Sequence, residues 1–252
     1  MNQPSDALRQ DWQKVNQAFT KAIFDYHLIE DEDQILVAVS GGKDSLILLR
    51  LLAERVRIFK PRFRVHAVHV TMQIKDAEGR VVTPYQSDAT WMQQFADELH
   101  VPLTILPAAF EQRNDAEKQP CFLCSWNRRK ALFDYAKQLG FNKIALGHHQ
   151  DDLLTTTLMN LFLQGRFDTM PAVLHLDKMP LQIIRPLCLC REATLQRIAA
   201  AENFPKQLKN CPFEHESERE RFKQLFWQME QENPEVRFNL WHAVERANLL
   251  LR

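Results

Sequence analysis

Six consecutive residues, Ser40-Gly41-Gly42-Lys43-Asp44-Ser45, carry the densest chemistry in this chain of 252 residues. They follow an apolar, β-branched run, Ile35 to Val39, and open an amphipathic helical pattern, which reads as strand, glycine turn and helix. Two glycines let backbone N–H groups approach an anion with no Cβ in the way, and the helix N-terminus adds the positive end of its dipole. Lys43 supplies a mobile cation and Ser45 a hydroxyl at the helix start. The Asp44 carboxylate makes sense beside a phosphate only with a bridging cation such as Mg²⁺. The chemistry is therefore pyrophosphate binding, with Ser40, Gly41, Gly42, Lys43, Asp44 and Ser45 as nucleotide ligands and Lys43 and Asp44 as catalytic candidates. The blander alternative is a βα turn in which Asp44 or Ser45 merely caps a helix. The G-x-x-x-x-G-K-[ST] spacing of an ordinary P-loop is absent.

A second cluster is Cys121-Phe122-Leu123-Cys124, just ahead of Ser125-Trp126-Asn127-Arg128-Arg129-Lys130. Two thiols three residues apart at a helix start suit a metal or cluster site, a redox dithiol or a pair of buried cysteines. A redox dithiol would open the first helix of a βαβ unit, whereas this pair follows a polar stretch. Cys211 stands alone in Asn210-Cys211-Pro212, and three cysteines from two loops suit an iron–sulfur cluster with one iron left open. Cys188 and Cys190 sit in an apolar setting and read as core. Arg128, Arg129 and Lys130 are candidate RNA-phosphate contacts, and Trp126 is either packed core or a stacking surface for a splayed base. Arg191, Arg219, Arg221 and Lys223 read as a solvated face. Gly147-His148-His149-Gln150-Asp151-Asp152 lies where a strand passes into a helix. Gly147, His148 and Asp152 are nucleotide or magnesium candidates there, with a helix cap at Asp151 or Asp152 as the plainer alternative. His69, at the end of a valine-rich strand, is a candidate adenine contact through its backbone.

The elements that must position these residues alternate. Helices are predicted over 7–29, 44–59, 87–100 (capped by Ser87), 123–139, 151–163, 192–201, 217–232 and 234–250. Strands are predicted over 35–39, 63–70, 103–106, 143–146 and 181–185, with 71–84 as a loop or small hairpin. Strands alternating with helices imply an α/β fold with a doubly wound parallel sheet, whose ligands sit beyond the carboxyl ends of the strands. Ser40, His69, Gly147 and Arg185 all fall at such ends. The division expected is an N-terminal helix (1–30) packing on an ATP-binding α/β domain (31–203), followed by a cysteine loop and helical appendage (204–252). Charges balance, 32 basic against 32 acidic, so a nucleic-acid surface must be a local patch. There is no apolar leader and no run of membrane-span length, and five cysteines without a secretory signal suit a reducing compartment. A cytoplasmic protein with no membrane contact is expected.

SGGKDS resembles the phosphate loop of the PP-loop ATP pyrophosphatase superfamily, which has an adenine nucleotide alpha hydrolase-like fold. Its members cleave ATP between the α and β phosphates and activate a carbonyl oxygen as its adenylate. SGGKDS, CFLCSWNRRKAL, KIALGHHQDDLLTT, the MNLF…G…MP segment and IRPL…CRE, in that order, are similar to the tRNA 2-thiocytidine synthetase family of that superfamily. The resemblance runs from about Ile35 to Arg221. It implies an ATP-dependent tRNA sulfurtransferase that adenylates O2 of a cytidine in the anticodon loop before sulfur displaces AMP. It further implies ATP, Mg²⁺ and a 4Fe-4S cluster held by Cys121, Cys124 and Cys211. The partners implied are tRNA, a sulfur donor such as a cysteine desulfurase, and a second copy of the chain in a homodimer. The family's usual third-ligand loop carries a second CxxC, where this chain has Cys211 alone. Two other readings share the phosphate loop. One is a lysidine-synthetase- or amidotransferase-like enzyme with structural zinc; the other is a non-catalytic ATP-binding protein.

Overall fold

The computed structural model describes residues 6–75, 81–83, 85–111, 120–177, 179–209 and 218–251. They form two compact units, Glu30–Leu146 with Glu202–Glu214, and Met1–Ile29 with Gly147–Ala201 and His215–Arg252.

The first of these units is built on a parallel sheet. Strand β1 (Asp33–Ala38) holds Ile35, Leu36 and Val37 fully buried, as expected of a central parallel strand covered on both faces. It pairs in parallel with β2 (Phe63–Lys75) on one edge and with β6 (Lys143–Ala145) on the other. Strand β5 (Leu103–Glu111) pairs in parallel with the far edge of β2, and β3 (Val81–Val82) returns antiparallel against the end of β2. The four parallel strands thus stand in the order β5-β2-β1-β6, and the order reverses between β1 and β6. At their amino ends the buried Lys143 ammonium meets the Asp33 carboxylate at 2.7 Å, and Asn142 donates to the same carboxylate at 2.7 Å. That pair fixes β1 beside β6, the switch point beyond whose carboxyl ends doubly wound sheets bind their ligands.

Between β1 and β2 runs α2 (Lys43–Val56), whose Leu46, Ile47, Leu48, Leu49, Leu51 and Leu52 are buried. Truncating one of these leucines to alanine is expected to cost about 2–5 kcal/mol. Helix α3 (Ala89–Glu98) follows β4 (Tyr85–Gln86), and Trp91 and Phe95 of α3 cluster with Phe204. Strand β4 pairs antiparallel with β9 (Leu208–Lys209) as a separate short ribbon. Helix α4 (Pro120–Leu139) ends at Gly140, whose positive φ of 75° stops the helix.

The second unit is mainly helical. Helix α1 (Asp6–Asp25) buries Val15, Phe19, Ala22 and Ile23, and its Asp11 is paired bidentately with Arg197 of α6 (Glu192–Ala201). Helix α5 (Gln150–Gln164) ends at Gly165 in the left-handed conformation. Strands β7 (Val173–His175) and β8 (Gln182–Ile184) form an antiparallel pair, and α7 (Glu218–Glu232) and α8 (Val236–Arg246) complete the unit.

The α/β fold with a mostly parallel sheet is as expected. Several details differ. The strand expected over 63–70 continues to Lys75, because its partner β5 extends alongside it. The strand expected over 181–185 is shorter and antiparallel to β7, since a six-residue turn joins the two where a crossover helix would be needed for parallel pairing. Helix α4 starts at Pro120, which suits the first helical position, so Cys121 and Cys124 both fall within its first five residues. The N-cap of α3 is Asp88, which accepts from the Trp91 N–H, and not Ser87.

Candidate nucleotide site

The phosphate loop leaves the carboxyl end of β1 and is held by its own hydroxyls. Ser45 Oγ donates to the Gly42 carbonyl at 2.8 Å and accepts the Ser40 N–H at 3.1 Å. Ser40 Oγ lies 3.2 Å from Ser45 Oγ and accepts the Gly42 N–H at 3.2 Å. The helix that follows has Gly42 as its N-cap with no side-chain cap. The alternative in which Asp44 or Ser45 caps the helix is therefore not what the chain does, and the positive end of the helix dipole faces the loop. Gly41 has φ of 86°, a left-handed conformation that favours glycine. Lys43 and Asp44 pair at 3.0 Å, each about a quarter exposed.

His69 is buried at the end of the first crossing of β2 past β1. Its Nδ1 donates to the Val39 carbonyl at 2.7 Å, immediately before the phosphate loop. Burial lowers its pKa, the bond to Val39 opposes this, and the Arg128 guanidinium of α4 lowers it further. His69 is thus a neutral strut under the loop, with Arg128 close by. On α4, Lys130 pairs with Asp134 at 2.9 Å, Arg129 is exposed and Trp126 is half exposed, so Trp126 is not packed core.

Of the cysteines, Cys124 has an intermediate exposure, whereas Cys188 and Cys190 are buried in the helical unit. Burial pushes the Cys188 thiol well up and the Cys190 thiol up to about 12, which makes both poor thiolate ligands. Cys211 and the side chain of Cys121 lie outside the described residues. Among the described residues, no group of three His, Cys, Asp or Glu is gathered for a metal ion, and no helix is long and apolar enough to cross a membrane.

The segment after β6 forms a capping box at the start of α5. The N-cap is His149, so the alternative that put the cap at Asp151 or Asp152 is corrected, with Asp152 serving as the N3 residue of the box. The His149 Nδ1 accepts the Asp152 N–H at 3.4 Å, and the Asp152 Oδ2 accepts the His149 N–H at 3.0 Å. The other carboxylate oxygen of Asp152 is taken by Arg219 of α7 at 2.8 Å. Burial alone would raise the Asp152 carboxyl, but His149 and Arg219 outweigh it and the pKa is lowered. Asp151 accepts the Glu192 N–H at 2.8 Å and an Arg237 N–H at 2.6 Å. Arg237 also grips Glu230 through two bonds, reaches Gln150 at 3.2 Å and lies 5.1 Å from the Phe226 ring centroid. His148 is pushed down to about 4 by burial and by Arg185, so it is neutral at pH 7. Its Nδ1 is buried with no hydrogen-bond partner among the described residues.

Of the residues expected at strand ends, His69 lies next to the phosphate loop, bonded to the Val39 carbonyl just ahead of Ser40. Sequence reasoning missed Ser87 and Gln207, which bond the phosphate loop, and Arg237 and Glu230, which anchor α5. The last two sit in charged helices whose pattern is that of a solvated face; no motif marks them.

A model of the PP-loop domain matches residues 9–240. The chain is 35% identical over 233 residues to a tRNA-cytidine(32) 2-sulfurtransferase of Sorangium cellulosum, covering 92% of this chain and 80% of that one. It is 35% identical over 234 residues to the enzyme of the same name from Coxiella burnetii, covering 89% and 86%. Among solved structures, it is similar to the U34-tRNA thiolase NcsA from Methanococcus maripaludis with its [4Fe-4S] cluster. The TM-score is 0.73 at 20% identity, over 95% of this chain and 79% of that one, a likeness of fold.

Proposed function

Because the chain belongs to the PP-loop family and, within it, to the tRNA-cytidine 2-sulfurtransferases, we propose that it is an ATP-dependent tRNA sulfurtransferase. O2 of an anticodon-loop cytidine attacks the α-phosphate of ATP and pyrophosphate leaves. Sulfur then adds at C2 and AMP departs with the former O2. Cytidine 32 is the position given in the names of the relatives. The observation that carries this reading is the identity of 35% over 92% of the chain, with an uncapped phosphate loop at the carboxyl end of β1.

The roles follow from the residues. Backbone N–H groups of the loop Ser40–Ser45 bind the phosphates, and Lys43 neutralises charge that builds on the leaving pyrophosphate. Asp44 is the ligand assigned to Mg²⁺. His69, held to Val39, keeps the strand end in place beside the adenosine. Gly147 and His148 are assigned to nucleotide binding, and Asp152 fixes the first turn of α5. Arg128, Arg129 and Lys130 contact tRNA phosphates. Cys121 and Cys124, three residues apart at the start of α4, would hold a 4Fe-4S cluster together with Cys211; Cys188 and Cys190 are unsuited to it. The bound cluster supplies an iron site for the sulfur to be transferred. A cysteine desulfurase-type donor, a second copy of the chain and a cytoplasmic location complete the proposal.

Mass spectrometry of tRNA nucleosides tests it. A strain lacking this chain should lose 2-thiocytidine, and the wild-type chain should restore it where Lys43→Ala does not. An unchanged nucleoside profile in the deletion strain would overturn the assignment.

A further inference from the structure

A loop that turns N–H groups toward an anion must turn carbonyls elsewhere, where a donor can hold them in place. The Ser40 carbonyl has two, drawn from distant parts of the sequence. Ser87 Oγ donates to it at 3.1 Å and Gln207 Nε2 donates to it at 2.6 Å. Gln207 Nε2 also donates to Ser87 Oγ at 3.1 Å, so the three groups form a closed triangle. The β4–β9 ribbon makes this meeting possible. Tyr85 pairs with Lys209 and Gln86 with Leu208, which delivers Ser87, just after β4, and Gln207, just before β9, to the same place.

The Ser40 carbonyl and the Gly41 N–H belong to one planar trans peptide, so they point in opposite directions. Anchoring the carbonyl therefore aims the Gly41 N–H away from Ser87 and Gln207. Gly41 tolerates no side chain here: a Cβ would lie 2.2 Å from Ser87 Oγ and 2.7 Å from Ser87 Cβ. The close approach of Ser87, as well as the positive φ, demands glycine.

We propose that Gln207, acting with Ser87, is a positioning residue of the phosphate loop, locking the Ser40–Gly41 peptide in the orientation that binds nucleotide phosphate. Gln207 also lies in the segment that runs on to Cys211. The inference rests on the assignment of the loop Ser40–Ser45 to ATP. Of the two outside donors to the Ser40 carbonyl, Gln207 makes the shorter bond.

Titration calorimetry of the full chain with a non-hydrolysable ATP analogue and Mg²⁺ gives affinity and the fraction of binding-competent chains separately. Gln207→Ala should raise Kd about five- to tenfold with the stoichiometry unchanged, the loss of one to two hydrogen bonds. Gln207→Glu should raise it further, since its carboxylate sets an acceptor against the Ser40 carbonyl and a negative charge beside phosphate. Ser87→Ala should raise it by less than Gln207→Ala. In the thiolation assay the same variants should raise KM for ATP with a smaller change in kcat. Kd within twofold of wild type in both Gln207 variants, or a fall in stoichiometry with Kd unchanged, would overturn the positioning role. Wild-type chain that does not bind the analogue, or Lys43→Ala that binds it equally well, would sink the ATP assignment of the loop instead.

Discussion

Arg219 holds one oxygen of Asp152 at 2.8 Å while the other accepts the backbone N–H of His149 at 3.0 Å. Both oxygens are therefore committed to the start of α5, and the carboxylate acts as a cap and an anchor. The Asp152→Asn variant should lose roughly 0.2–1 kcal/mol, since Arg219 is partly exposed and asparagine retains capping. Asp152→Ala should lose about 1 kcal/mol more, measured by urea denaturation. A higher magnesium requirement in Asp152→Asn would instead show direct participation at the metal.

Lys43 pairs with Asp44 at 3.0 Å at the surface of the loop, with about a quarter of its side chain exposed. Lys43→Ala should lower tRNA-dependent pyrophosphate release by roughly 10²–10³-fold or more while the melting temperature stays close to that of wild type. Wild-type turnover in the purified variant would remove Lys43 from the reaction.

The cysteines divide into two groups. Cys121→Ala, Cys124→Ala and Cys211→Ala should each lose iron and thiolation while ATP binding persists, because the phosphate loop is a separate element. Cys188→Ala and Cys190→Ala should keep iron and cost about 1 kcal/mol of packing each. Iron analysis and visible absorption of anaerobically purified protein decide the matter. Colourless protein with stoichiometric zinc would contradict the cluster.

The cluster of Arg237 with Glu230 and Asp151 makes stability pH-dependent on the acid side. The bond from Arg237 lowers the Glu230 pKa; for Asp151, burial raises the pKa but Arg237 outweighs it. Carboxyls with depressed pKa in the folded chain stabilise it fully above their unfolded values, about 4. That stability is lost as pH falls through the folded values. The urea midpoint should thus be level between pH 7 and about 5 and fall below about 4. Arg237→Ala should cost about 1.5–3 kcal/mol at pH 7, because it takes one partner from two half-buried carboxylates while Glu230 keeps Arg191 and Asp151 keeps the Glu192 N–H, and should flatten the acid limb. An acid limb as steep as that of wild type would show that other carboxylates carry it.

The sequence by itself determined what depends on neighbours along the chain. A doubly buried β1, the glycine turn and the leucine-rich face of α2 are local patterns, and they specified a phosphate loop on a parallel sheet. Cys121 and Cys124 were legible for the same reason, three residues apart. Only the tertiary structure decided which distant groups complete the loop and its surroundings. Ser87 looked like the cap of α3, yet Asp88 caps it and Ser87 turns to the Ser40 carbonyl. Nothing near Gln207 marks it, because its partner lies 167 residues away and is a backbone oxygen, which leaves no trace in side-chain type. Arg237 and Glu230 carry no local mark, and only folding brings them to Asp151. Local periodicity reports which face of an element is buried; it carries no information on which polar group from another element will meet it there.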